Sequence, residues 1–404
     1  MSTETVDCCI VGAGPGGMML ALLLARTGHS VILLEARQDF DRDFRGDTVH
    51  ASTLETLDHL GLADEALDLP HVKMRSVTLH TPERTLDLVH FDRLPTRFPY
   101  VAVMPQSSFL DWLCRKAEAC PNFTCLRGAA AQALLEDGRR ITGVRYRAGA
   151  DHNIHATLTV AADGRFSRMR KLAGLSAQSS APPMDVCWFR LPRRERDGHE
   201  TGGFFVAHGR MLVCIPRTGE WQIGYVFPKG DFAQLKSQGI DALRKGISDA
   251  APWLSDRIDA LKDFTELHLL TVRGDCLVKW YRPGFLAIGD AAHVMTPVGG
   301  VGINMAVSDA VAAANVLADL ATLPLRNRTL TESHLAEIQS RRMRATRITQ
   351  AVQDRIQDQI VKRALRNQPF ALPLPVRLAL AIPGLRDIPA RLFALGLPRT
   401  RLAV

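Results

Sequence analysis

The sequence predicts an α/β fold with an antiparallel β-sheet inserted into it and a helical tail at the C-terminus. Three observations predict this. The chain opens on a buried strand, a glycine-rich turn and an apolar helix, followed by a second strand, the βαβ pattern of a parallel sheet. From about 184 to 277 the texture changes to alternating strand-like runs joined by tight turns, and a short buried strand at 285–289 then resumes the first pattern. Residues 331–366 carry helical periodicity without a break. The 404 residues allow two to three folding units, and 46% apolar with 23% charged residues excludes a disordered, collagen-like or disulfide-stapled chain.

The first strand covers residues 6–11 and its helix runs to about Thr27, where Gly28 closes it; residues 30–35 form the second strand. Helical patterns follow at 50–60 and 107–119. Three alternating runs between 129 and 162, separated by turn residues at 136–138 and 149–153, predict a β-meander. In the inserted region, 202–206, 211–215 and 221–227 read as antiparallel strands, joined at His208-Gly209-Arg210 and Thr218-Gly219. Residues 302–320 form an alanine-rich helix. The 331–366 helix bears a narrow apolar stripe at Ala345, Ile348, Val352, Ile356 and Ile360, with its arginines on a solvated face, and prolines divide the remainder into short pieces. The expected organisation is a nucleotide-binding domain over 1–175, with strands of the inserted sheet near 72–105, then the inserted sheet domain over 176–278. Residues 279–325 complete the first domain, and 326–404 form a basic helical segment.

Charge follows the same division. Residues 326–404 hold 15 Lys/Arg against 5 Asp/Glu, whereas the first 325 are close to neutral. The tail's arginines are not interleaved with stacking aromatics, so nucleic acid is not an expected partner. Arg377, Arg386 and Arg391, set among Leu378, Leu380, Ile382, Leu392, Phe393 and Leu395, make 369–404 a candidate for peripheral contact with an anionic membrane. The eight cysteines show no C-x-x-C pairing and read as reduced thiols, and no metal site is expected. The acidic start is not a signal-peptide n-region, and no window of about twenty apolar residues is evident, so a cytoplasmic protein is expected.

The chemistry-bearing motif is Gly12-Ala13-Gly14-Pro15-Gly16-Gly17, which follows a strand and opens a helix. Gly12 permits the tight turn, Gly14 lets the backbone approach a pyrophosphate, and Gly17 lets the helix pack on the strand, while the helix N-terminus attracts the phosphates. Glu35 ends the next strand where a carboxylate meets a ribose hydroxyl. An acid there disfavours a 2′-phosphate, leaving FAD or NAD.

Two further motifs follow strands downstream: Asp163-Gly164-Arg165-Phe166-Ser167-Arg168-Met169-Arg170, and Gly289-Asp290-Ala291-Ala292-His293 running into the 297–304 loop. With these three motifs in order, and with Arg45-Gly46-Asp47 and Met104-Pro105-Gln106 in place, residues 5–320 resemble the single-component (class A) FAD-dependent aromatic hydroxylases, the para-hydroxybenzoate hydroxylase-like flavoprotein monooxygenases. The resemblance implies FAD as cofactor, NAD(P)H as a transient reductant with no second glycine motif of its own, and dioxygen. A flavin C4a-hydroperoxide would hydroxylate or epoxidise an aromatic ring. It further implies that Gly12, Gly14, Pro15, Gly17 and Glu35 bind the adenosine diphosphate portion. Arg45 and Gln106 would serve the phosphate and ribityl portions, Asp290 a ribityl hydroxyl and Asp163 both nucleotides, while Pro297, Gly302 and Asn304 belong to the loop along the isoalloxazine.

For the substrate, the inserted sheet offers Phe189, Phe204, Phe205, Val206, Met211, Ile223, Tyr225 and Phe227 as a lining, although the same spacing also builds an ordinary core. His50, His208, Tyr225 and His293 are the candidate catalytic groups, although for His293 a structural role behind the site is favoured over direct catalysis. These residues favour a bulky or polycyclic secondary-metabolite-type aromatic substrate. Absence of a W-x-W motif disfavours a flavin halogenase, and the lone Cys120–Cys125 spacing does not make a disulfide reductase. A geranylgeranyl-reductase-like isoprenoid reductase and a non-catalytic FAD-containing binding protein remain as alternatives.

Overall fold

A computed structural model describes residues 4–41, 47–197, 201–318, 330–366, 368, 370–382, 384–396 and 398–403. The first layer is an eight-stranded sheet. At its centre Glu4–Val11 pairs in parallel with Val31–Glu35 on one side and Ala150–Ala161 on the other, and Phe123–Arg127 and Phe285–Ala287 extend it in parallel. Strands covered on both faces lose the apolar/polar alternation, which is why the Cys8-Cys9-Ile10 run is fully buried. The meander is present as Ala130–Asp137, Arg140–Ala148 and Ala150–Ala161. Helix Pro15–Arg26 packs on helix Gly302–Ala318 so closely that a Cβ at Gly16 would lie 3.0 Å from the Ala306 carbonyl oxygen.

The second sheet has seven strands in the order His268–Leu270, Met184–Pro192, Glu220–Pro228, Arg210–Pro216, Thr201–Ala207, Ser76–His80 and Thr85–His90. Two of its strands therefore come from the first part of the chain. Helices Phe232–Ser237 and Ile240–Ala250, not foreseen within the strand-like texture of 184–277, lie against one face of this sheet. Their signal is the helical spacing of Leu243, Ile247 and Ala250. The other face turns toward the first domain.

The C-terminal segment is built into the body. Helix Glu332–Ile356 passes through a π-helical turn at Gln357–Val361 and ends at Lys362–Ala364. Its buried side is more polar than the expected stripe, with Arg342, Thr346, Thr349, Gln353 and Gln357 all enclosed. Arg341, Arg344 and Arg347 do face solvent, but Arg342 does not: its Nε donates to Asp309 Oδ1 at 2.7 Å. Asp309 Oδ2 also accepts from the Gly289 amide (2.9 Å) and from His293 Nε2 (2.7 Å). Burial alone would push the Asp309 carboxyl up, but His293, Arg342 and their hydrogen bonds outweigh it and hold the group below the usual carboxylate range. One apolar window does exist, contrary to expectation: the 21 residues Val298–Ala318 are long and apolar enough to cross a bilayer, and 78% of the window is buried inside the protein.

Removing one partner of a buried ion pair leaves the other charge uncompensated. Arg342→Met should therefore destabilise the protein by about 3–5 kcal/mol in urea unfolding. Arg341→Met, which breaks an exposed i,i+4 pair with Glu337, should cost less than about 0.5 kcal/mol. Equal effects would contradict this assignment.

Candidate active site

Between the two sheets and the C-terminal segment lies a cavity of about 1250 Å³. Its first wall is the glycine turn. Gly12 has φ +103°, and a Cβ there would sit 2.4 Å from the Ala162 carbonyl oxygen, so the motif turn and the end of the strand Ala150–Ala161 touch through it. Gly14 meets nothing within 4 Å of where a Cβ would stand, and it precedes a helix that has no side-chain cap. The N-terminus of Pro15–Arg26 therefore presents unsatisfied amides to the cavity, the arrangement that holds a pyrophosphate. Glu35, on the same wall, accepts from the Ala13 amide (3.1 Å) and the Arg37 amide (3.0 Å), which fixes its carboxylate at the strand end.

The second wall is the 297–302 loop. The Gly300 carbonyl accepts from Thr48 Oγ1 (2.8 Å) and His50 Nε2 (3.1 Å), and Gly299 and Gly300 both take positive φ. Because a carbonyl only accepts, the His50 proton resides on Nε2. Burial lowers the His50 pKa to about 4, so the ring is neutral at physiological pH. Asp163, Gln106 and Asp290 border the same space. Asp163 accepts from Ser167 Oγ and from the Met169 amide (3.1 Å), and Ser167, accepting in turn from the Arg170 amide (3.0 Å), caps the short helix Arg168–Leu172. Asp47 also faces the cavity; it forms a buried ion pair with Arg217 and accepts from the Gln106 amide at 3.2 Å. An open glycine cradle, an uncapped helix start and a fixed carboxylate at the strand end together fit FAD.

A family model described as an FAD binding domain matches residues 5–352. The chain belongs to that family. A relative from Streptomyces rimosus, 6-methylpretetramide 4-monooxygenase, is 34% identical over 361 residues, covering 87% of this chain and 84% of the relative. Protoasukamycin 4-monooxygenase from Streptomyces nodosus subsp. asukaensis is 28% identical over 79% of this chain and 81% of its own. Among solved structures, Pseudomonas aeruginosa PqsL in complex with 2-aminobenzoylacetate shares the fold, with a TM-score of 0.77 at 21% identity over 91% of this chain and 98% of that one. The protein is an FAD-dependent flavoprotein monooxygenase of the class A type, using NAD(P)H as reductant.

In this monooxygenase Gly12, Gly14, Pro15, Gly17, Glu35, Gln106, Asp163, Asp290, Pro297 and Gly302 all line the one cavity. Arg45 lies outside the described residues. Asn304 does not reach the cavity wall: its Oδ1 accepts from Thr53 Oγ1 (2.7 Å) and its Nδ2 donates to the Phe393 carbonyl (3.2 Å), so it ties the helix Gly302–Ala318 to its neighbours. Of the catalytic candidates only His50 borders the cavity. His208 is exposed at a hairpin tip with φ +51°, Tyr225 is buried on the far face of the sheet, and His293 is held by Asp309 behind the cavity wall.

The expected substrate lining divides by strand parity. Phe204 and Met211 face the cavity, and Val206 belongs to the same inner cluster. Phe189, Phe205, Ile223, Tyr225 and Phe227 point the other way, into the core under Ile240–Ala250. Their strand neighbours Trp188, Val213, Gln222 and Val226 line the cavity instead, and Val352, Ile356, Ile360 and Leu385 close it from the C-terminal segment. Alternation along each strand carried that signal, but only the covering helices show which parity faces which way.

Burial pushes the Asp47 carboxyl up to about 6, with Glu220 adding to it, while Arg217, the Gln106 amide and Arg190 pull it down. The folded protein thus holds this proton more tightly than the unfolded chain, whose aspartate titrates near 3.9. The stability from this group is greatest below about pH 4 and is lost as pH rises toward 6. The urea stability of the wild type relative to Asp47→Asn should therefore fall by about 2 kcal/mol between about pH 4.5 and 7. A difference independent of pH would refute it.

Proposed function

We propose that this monooxygenase hydroxylates a bulky, polycyclic phenol-type aromatic compound. One observation carries the reading: the cavity continues past the glycine turn and the 297–302 loop along the apolar face of the seven-stranded sheet, where Trp188, Phe204, Met211, Val213 and Val226 form a broad wall. Such a wall binds flat rings by burial and excludes water from the reaction. The names of the two Streptomyces relatives, which describe monooxygenation of 6-methylpretetramide and protoasukamycin, support a secondary-metabolite ring system.

Bound FAD supplies the activation of dioxygen by NAD(P)H-derived electrons and the delivery of one oxygen atom to the ring. The chain's residues bind and orient. Gly12–Gly17 would hold the pyrophosphate, Glu35 the ribose, Gln106 and Asp290 the linking chain, and the 297–302 loop the isoalloxazine. His50 steadies that loop through Gly300; as a neutral ring with its one proton on Nε2 it can accept a hydrogen bond at Nδ1 but does not carry a second proton at pH 7.

The test is turnover of the purified holoenzyme with NADH or NADPH against hydroxylated anthraquinones and tetracyclic polyphenols. Substrate-stimulated oxidation of the reductant is expected, with a product heavier by one oxygen atom and no turnover without dioxygen. Stimulation by single-ring phenols alone, with none by any polycyclic phenol, would overturn the proposed substrate class.

A second observation supports peripheral membrane contact. Leu374, Leu378, Ile382, Leu385 and Ile388 are exposed along one segment that also carries Arg377, Arg386 and Arg391, and Pro375, Val376, Ala379, Leu385 and Ile388 of that segment line the cavity. Leu392, Phe393 and Leu395, nominated with them from the sequence, are instead buried in the body, and the Leu380 side chain lies outside the described set. A lipophilic substrate could then pass from the bilayer to the cavity. The double variant Leu374→Ser/Leu378→Ser should co-sediment at least about fivefold less with phosphatidylglycerol vesicles than the wild type. Unchanged sedimentation would remove the proposal.

A further inference from the structure

The cavity face of the seven-stranded sheet is apolar except at two side chains, Arg273 near its edge and Gln222 on the strand Glu220–Pro228, among the described residues. Alternation along that strand sends Trp221, Ile223, Tyr225 and Phe227 into the outer core and leaves Gln222 and Val226 on the cavity. Gln222 is 4% exposed. Its Oε1 accepts from Arg217 Nη1 at 2.9 Å. A guanidinium can only donate, so the amide has one assignment: its oxygen toward Arg217 and its NH2 away from it. Nε2 has no hydrogen-bond partner among the described residues.

Arg217 cannot swing aside. It is paired with Asp47 and with Glu220 (3.2 Å), and its own carbonyl accepts from Arg193 Nη1 at 2.9 Å. Asp47 in turn accepts from the amide of Gln106, the first residue of helix Gln106–Glu118. The chain of contacts runs from the first domain to the sheet and holds a two-hydrogen donor against an apolar chamber, where an unmet donor is costly.

We propose that Gln222 is a specificity-determining residue whose Nε2 donates to a ring carbonyl oxygen of the substrate, with Arg217 and Asp47 as the residues that position it. The substrate class narrows accordingly, from polycyclic phenols in general to polycyclic phenols that carry a quinone or ketone carbonyl. This inference rests on the hydroxylase reading above.

The experiment titrates the holoenzyme with 2-hydroxyanthraquinone and with 2-hydroxyanthracene, which share skeleton and hydroxyl but differ in the carbonyls, and reads dissociation constants from perturbation of the flavin absorbance. Gln222→Met keeps the side-chain length and removes the donor; Gln222→Glu keeps the shape and supplies only acceptors. Both should weaken the quinone about tenfold, the loss of one hydrogen bond, and leave the anthracene within about twofold. Arg217→Lys, which loosens the hold on Oε1, should lower the same selectivity ratio at unchanged flavin content. Loss of both probes equally in the Gln222 variants, or of neither, overturns the assignment of Gln222 while the hydroxylase reading stands. Failure of both probes to perturb the wild-type flavin overturns the polycyclic reading and this inference with it.

Discussion

The carboxylate of Asp309 is the point through which the parts of this molecule are joined. It sits fully buried on the helix Gly302–Ala318 and accepts from the Gly289 amide in one motif turn, from His293 four residues on, and from Arg342 on the C-terminal helix. A buried carboxylate is tolerable only with such a set of donors, so the three donors and the elements bearing them are constrained together. Arg342 also donates to Thr400 Oγ1, and Gln353 exchanges hydrogen bonds with the backbone of Thr296 and Val298. The 297–302 loop that borders the cavity is thereby braced by the tail. The basic segment is part of the cavity's architecture, although every nucleotide-binding motif in the sequence precedes it.

The second constraint is that one sheet serves two purposes. Its outer face packs Phe189, Ile223, Tyr225 and Phe227 under Ile240–Ala250, while its inner face presents Trp188, Phe204, Met211 and Val226 to the cavity. Both faces are apolar, for different reasons: one to drive folding, the other to receive rings. Gln222 and its Arg217–Asp47 support are the polar exception on the inner side, and the same ion pair joins the sheet to the first domain.

Much of the cavity's lining is legible in the sequence. The glycine turn, Glu35, the 163–170 motif and the 289–302 stretch were found because their chemistry demands particular residues at fixed local spacing, and all of them border one cavity. His208 and Tyr225 were not resolvable in this way, since a histidine in a turn and a tyrosine in a strand look alike whether they face ligand, solvent or core. Asn304 shares the motif loop but begins a helical turn that points it away from the cavity toward Thr53 and Phe393. Arg342 was indistinguishable from its solvated neighbours because its partner Asp309 lies 33 residues upstream.

The sequence by itself determined the α/β class, the dinucleotide turn, the inserted sheet and the membership in a flavoprotein monooxygenase family, because each rests on local periodicity or on a short motif. Only the tertiary structure decided which parity of the inserted strands meets the cavity, that Val352, Ile356 and Ile360 of the tail close it, and that a polar network at its wall fixes one amide. Those outcomes depend on what covers each face and on partners far apart in the chain. The charge excess of the last 79 residues illustrates the difference. Composition placed it there, and packing turned one of its arginines, Arg342, into the anchor of the helix Gly302–Ala318 while leaving others at the surface.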